Sequence, residues 1–153
     1  MKVLTAYFSA EGTTAAKAAD LSKAINSDIF EIRPVNPYTA ADLRWTNPLA
    51  RCNREKFGNR SVPVEGKITG FDQYDTVIIG FPIWYGCAPN VVNTFCSGYD
   101  WSNKKIVLFA TSGGSGIGKT ADRLMPYVKG GQIAGAKLIT DSDELIEWVK
   151  GLL

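Results

Sequence analysis

Histidine is absent from all 153 residues. That gap excludes a Ser-His-Asp triad, a Cys-His pair, the HExxH helix and the usual histidine-containing zinc sites. Cysteine is scarce too: Cys52, Cys87 and Cys96, an odd number without CxxC spacing. Such usage disfavours a disulfide framework or a zinc site and fits a reducing, cytoplasmic setting. Net charge is only +2, too small to point to nucleic acid or an anionic membrane. No apolar run approaches the length of a transmembrane helix. The chain starts on a strand-like segment, with no signal-peptide pattern before it. Chemistry performed by such a chain is expected to belong to a bound cofactor.

What is present reads as one domain, residues 1–153, long enough for a real core. The most informative stretch is Val77 to Pro89, VIIGFPIWYGCAP. The run Val77-Ile78-Ile79 is short and β-branched, so it is expected to form a strand buried on both faces, stopping at Gly80. Beyond it come Pro82, the adjacent aromatics Trp84 and Tyr85, Gly86 and Pro89. Large flat side chains held between residues that fix or free the backbone are unusual for a plain loop. At the carboxyl end of a central strand in an open α/β sheet, they point to a planar ligand.

The other elements follow in order. Lys2 to Phe8 is expected to be a first strand, feeding the small, hydroxyl-rich turn Ser9-Ala10-Glu11-Gly12-Thr13-Thr14 and a helix over Ala15 to Ile25. A strand that runs through such a turn into a helix N-terminus favours an anion, because free amides and the helix dipole converge there. Equally, Thr13 or Thr14 merely caps the helix. Asp28 to Arg33 is a second strand, ended by prolines.

The segment from Asn36 to Gly70 loosens. Within it Arg44, Arg51, Arg54, Lys56 and Arg60 outnumber Asp42 and Glu55. A lid or binding loop and a solvated crossover are both open readings. A helix that opens at Pro89, a good first-turn residue, and runs from about Asn90 to Cys96 follows the central strand. Lys105 to Ala110 is a fourth strand, ending in the glycine-rich run Thr111 to Gly118. Then come a helix with Ala121, Leu124 and Val128 on one face, stopped at Gly130 and Gly131, and a fifth strand within Ala136 to Thr140. Asp141 is expected to cap a last helix that buries Leu145, Trp148, Val149 and Leu152. This β-α alternation predicts a doubly wound, mostly parallel five-stranded sheet with helices on both faces. Right-handed crossovers place residues 9–14, 82–89 and 111–118 at one sheet edge.

One match is misleading. Gly113 to Thr120, GGSGIGKT, fits the phosphate-loop pattern of nucleotide hydrolases letter for letter. It follows the fourth strand rather than the first, and Asp141 is a weak Mg²⁺ partner. It also leaves the 9–14 turn and the Trp84-Tyr85 loop unexplained. Glycine there is read instead as letting the backbone approach a flat ligand.

Together the loops FSAEGTT, GFPIWYGCAP and TSGGSGIG resemble the flavodoxins, small FMN-binding electron carriers. The resemblance covers nearly the whole chain, including NPYTAADLRW at 36–45. It implies the flavodoxin-like strand order 2-1-3-4-5, which the residue spacing alone does not yield. It implies that Ser9, Gly12, Thr13 and Thr14 hold the FMN phosphate, with amides from Ala10 and Glu11. Pro82, Ile83, Trp84, Tyr85 and Gly86 are implied to line the isoalloxazine, with Trp84 or Tyr85 stacked on it. Gly86 matches the glycine whose carbonyl turns when the flavin is reduced. Thr111, Ser112, Gly113, Gly114, Ser115 and Gly118 are implied to meet the ring's polar edge through backbone amides.

The chain also departs from the pattern. Glu11 and Cys87 replace a hydroxyl and an acid found in other members, the third loop has no aromatic, and the family's usual acidity is missing. The outer flavin face is then open, or covered by Trp45 or Tyr38. The preferred expectation is a non-catalytic, low-potential electron carrier working between two redox partner proteins, a reductase and an acceptor. The alternative is an FMN-dependent NAD(P)H or quinone oxidoreductase, favoured by the missing aromatic and the lost acidity.

Overall fold

The computed structural model describes residues 2–10, 12–35, 39, 62–83, 88–111 and 120–153. In chain order the elements are β1 (Val3–Tyr7), α1 (Thr13–Ile25), β2 (Asp28–Glu31), β3 (Arg33–Pro34), β4 (Val64–Glu65), β5 (Thr76–Pro82), α2 (Asn90–Ser97), β6 (Lys105–Thr111), α3 (Thr120–Leu124), β7 (Gln132–Leu138) and α4 (Ser142–Leu152). Five strands form one sheet in the order β2-β1-β5-β6-β7, and every pair in it is parallel. Counted along that sheet alone, the order is 2-1-3-4-5, as the resemblance implies.

The period-two alternation of the central strands divides the core between two faces. Leu4, Ala6, Val77, Ile79, Phe81, Ile106, Leu108 and Ala110 point one way, into a cluster with Val91, Val92 and Phe95 of α2 and Leu124 of α3. Ile78, Val107 and Phe109 point the other way and pack with Ala18 and Leu21 of α1 and Leu145 and Val149 of α4. A sheet covered on both faces needs apolar residues at successive positions. β5 and β6 meet that need, since Val77 to Phe81 and Ile106 to Ala110 are buried without interruption.

Gly80 does not stop the central strand. β5 continues through it to Pro82. Gly80 is the register partner of Phe109, and a Cβ built there would lie 2.1 Å from the tip of the Phe109 ring. The missing side chain therefore makes room for an aromatic ring from the neighbouring strand rather than a turn.

Other boundaries shift for equally local reasons. α3 ends at Leu124 and gives way to a tighter turn at Met125–Tyr127, because Pro126 has no N–H and its ring clashes with the preceding turn. The last strand starts at Gln132, ahead of the expected Ala136. Gly135 in its middle leaves space for Trp148 and Leu152 of α4, which a Cβ would approach to 3.0 and 3.2 Å. Pro89 is the residue before α2 rather than its first helical residue. Asp141 does cap α4, its side chain accepting from the Glu144 N–H at 2.8 Å. β2 stops at Glu31. Arg33 and Pro34 instead pair antiparallel with Glu65 and Val64, and Val35 N–H donates to the Pro63 carbonyl at 3.0 Å. Residues 33–35 and 63–65 thus lie side by side beyond the carboxyl end of β2.

The amino end of the sheet is closed by aromatic packing. Phe71 stacks on Tyr99 at 4.4 Å and meets the edge of Trp101 at 5.0 Å. Lys104 is buried against Phe71 and donates to the Tyr74 carbonyl. Buried Tyr74 donates its hydroxyl to Asp28 at 2.7 Å. Burial first, then that bond and the Asp28 charge, push its phenol up to about 12.

Two outcomes follow from this packing. Gly80→Ala is expected to lower stability by about 1–3 kcal/mol, the usual range for overpacking a filled core, read as the guanidinium unfolding midpoint. Gly151→Ala, whose new methyl meets nothing within 4 Å, is expected to raise that midpoint slightly. The Tyr74 phenol is neutral over a wider pH range when folded than when unfolded, where it titrates near 10. Its contribution is therefore whole below about pH 10 and is lost as pH climbs to about 12. Unfolding followed across that window should show a decline that is shallower in Tyr74→Phe.

Candidate functional site

Parallel strands deliver their carboxyl ends to one edge, and there the exits of four strands are tied together by three backbone bonds. Phe8 N–H donates to the Gly80 carbonyl at 2.9 Å, which joins the exit of β1 to β5. Ile83 N–H donates to the Thr111 carbonyl at 2.8 Å, which joins the exit of β5 to that of β6. Ile139 N–H donates to the Ala110 carbonyl at 2.8 Å, which adds the exit of β7. Each loop predicted to meet at this edge begins from a strand end whose position the next strand determines.

The first loop leads directly into α1. Gly12 precedes the helix at φ 96°, ψ −15°, a conformation that an L side chain resists, and a Cβ there would meet nothing within 4 Å. Among the described residues no side chain caps the helix, and its first turn holds no acid. The leading N–H groups and the positive dipole end of such a helix favour an anion. Ser9 Oγ accepts from the Gly12 N–H at 3.0 Å, so its own hydrogen is left to donate elsewhere. Ala10 packs on the core beneath, while Gly12 and Thr13 are exposed.

Capping by Thr13 or Thr14 is not what the structure shows. Thr14 is 2% exposed, and its Oγ1 lies 2.8 Å from Oγ1 of Thr111, itself 6% exposed. Sequence reasoning missed this pair. The partners stand 97 positions apart, and no local signal relates one threonine to another at that distance. Gly80 and Phe109, which bring α1 and β6 together beneath the pair, escaped for the same reason.

In the second loop, Pro82 is half-buried and Ile83 lies in the core below the edge. The chain returns through buried Ala88, Pro89 and Asn90 into α2. Of the third loop, Thr111 is placed as described. Glu11, Trp84, Tyr85, Gly86, Ser112, Gly113, Gly114, Ser115 and Gly118 lie outside the described residues, as do Cys87, Lys119, Trp45, Tyr38 and the basic residues of 42–60.

Tyr7, at the exit of β1, has its phenol raised first by burial and then by the charge of Glu31, with Arg33 offsetting part of the effect. Arg33 is itself ion-paired to Glu31. Among the described residues, no group of three or more His, Cys, Asp or Glu could hold a metal ion. No described helix is long and apolar enough to cross a membrane. Among the described residues, the turn from β1 into α1 offers hydroxyls, backbone amides and a helix N-terminus, donors suited to a phosphate ester.

Comparison with known proteins agrees with this fold. A family model described as flavodoxin matches residues 2–152. The crystal structure of a candidate flavoprotein from Bacteroides eggerthii DSM 20697 is 38% identical, with a TM-score of 0.90, and the match covers 99% of this chain and 97% of that one. A second, from Bacteroides uniformis ATCC 8492, is 36% identical with a TM-score of 0.90, covering 97% of each chain. A flavoprotein from Lactobacillus acidophilus NCFM, crystallised in complex with FMN, shares the fold at 22% identity and a TM-score of 0.75, over 97% of this chain and 98% of that one. No curated protein matches the chain. Matched by the family model over nearly its whole length, the chain belongs to the flavodoxin family.

Proposed function

We propose that this protein binds FMN at the carboxyl edge of its sheet and acts as an electron carrier between redox partner proteins. The observation that carries this reading is the uncapped N-terminus of α1, facing the joined exits of β1, β5 and β6. Ser9, Gly12, Thr13 and Thr14 surround that terminus and hold the phosphate by hydroxyl and amide donation. Ala10 and Glu11 add backbone amides. Pro82 to Gly86 and Thr111 to Gly118 flank the isoalloxazine, with Trp84 or Tyr85 stacked on it. When bound, the flavin supplies one- and two-electron redox chemistry. The residues around it bind, orient and shield it from water.

The partners are a reductase and an acceptor, and the setting is cytoplasmic. With a net charge of +2, docking through an acidic rim is not available over the chain as a whole. That charge favours a second reading, an FMN-dependent oxidoreductase whose substrate is NAD(P)H or a quinone.

An anaerobic reductive titration followed by visible absorbance separates the readings. Flavin bands at the start and a one-electron-reduced species midway are expected for the carrier. Direct two-electron reduction by NAD(P)H without a partner protein would establish the oxidoreductase. Lys119→Ala is expected to leave flavin affinity unchanged. Were the GGSGIGKT run a nucleotide-hydrolase loop, the same change would abolish nucleotide binding, which equilibrium dialysis with ATP detects.

A further inference from the structure

Thr111 belongs to the third loop, yet its side chain is directed to the first. Its Oγ1 lies 2.8 Å from Thr14 Oγ1, both residues are buried, and its carbonyl is occupied by the Ile83 N–H. Within a pair of hydroxyls only one hydrogen lies between the oxygens, and the other is free to be donated outward. A phosphate monoester presents oxygens that accept at neutral pH. A threonine that binds it must donate to it, and so must accept from any other hydroxyl it touches.

From this geometry we infer that Thr111 is a positioning residue for the phosphate. Its hydroxyl donates to Thr14 Oγ1 and so commits the Thr14 hydrogen to the anion at the α1 N-terminus. The inference rests on the FMN reading and deepens it, since it gives the Thr111 hydroxyl a role distinct from contact with the ring. Burial makes the direction of the pair matter. Water has little access to replace a lost donor, and a Thr14 hydroxyl without its partner can turn back towards a carbonyl of the preceding turn.

The test compares FMN with riboflavin, which carries the same ring and no phosphate. Flavin is stripped from the full-length protein, and each dissociation constant is measured by quenching of flavin fluorescence. Thr111→Val keeps the branched shape and removes the hydroxyl. It is expected to weaken FMN about tenfold or more, the scale of a hydrogen bond to a charged group, and to leave riboflavin affinity within about twofold. Thr111→Ser is expected to restore FMN affinity. The double variant Thr14→Val with Thr111→Val is expected to lose no more than Thr14→Val alone, because one residue acts through the other.

Equal weakening of both ligands by Thr111→Val would make Thr111 a ring contact or a general support, and the inference would fall. Unchanged FMN affinity, or additive losses in the double variant, would overturn it as well. Should Thr111→Val not fold, Thr111→Ala carries the same comparison. Wild-type protein that binds neither flavin overturns the FMN reading and the inference with it. Wild-type protein that binds FMN normally, beside an indifferent Thr111→Val, removes the inference alone.

Discussion

A ring lying over a glycine governs the geometry of the site. Phe109 of β6 occupies the space above Gly80 of β5, and on the same face it packs with Ala18 and Leu21 of α1. Interiors of this density do not deform continuously, so the ring determines how near the helix can approach the sheet. Two residues further along β6, on the same face, Thr111 meets Thr14 in the first turn of that helix. The open end of α1 is thereby held beside the exits of three strands. With a larger residue at position 80, ring, helix and hydroxyl pair would all have to move.

The two ends of the sheet are built for opposite purposes. At the amino end, Phe71, Tyr74, Tyr99 and Trp101 fill the space between the elements, and the polar groups there are paired: Trp101 Nε1 donates to the Cys96 carbonyl at 2.7 Å, and Lys104 donates to Tyr74. At the carboxyl end the described backbone bonds tie the loop stems to one another. The helix that follows β1 starts without a cap. Every parallel strand followed by a helix brings a helix N-terminus towards this edge, so the dipoles favour an anion here and not at the opposite end. Aromatic filling at one end and helix N-termini at the other make the two edges chemically different.

The phosphate-loop lettering at 113–120 shows how a local pattern can mislead. A glycine-rich run ending in Lys-Thr carries meaning only from the strand it follows and the loops around it. In this sheet it follows β6, the strand beside the central β5, and the anion-ready helix terminus is α1, after β1. The family match over residues 2–152 accords with the loop set read together rather than with that one octet.

Much of the architecture was legible from the chain alone. The β-branched run at 77–79, the KIVLFA run, the Asp141 cap and the three unusual loops are local features, set by side-chain period, backbone freedom and hydrogen-bonding capacity within a few residues. These determined the elements, their alternation, and the edge from which the three loops start. What local pattern could not determine was which residues meet across the sheet. Gly80 reads as a terminator until Phe109 is seen above it, and Arg33–Pro34 reads as the end of a strand until Val64–Glu65 pairs with it. Thr14 reads as a cap until Thr111 appears beside it. Register, ring placement and hydroxyl pairing depend on contacts between distant positions, so only the tertiary structure decided them.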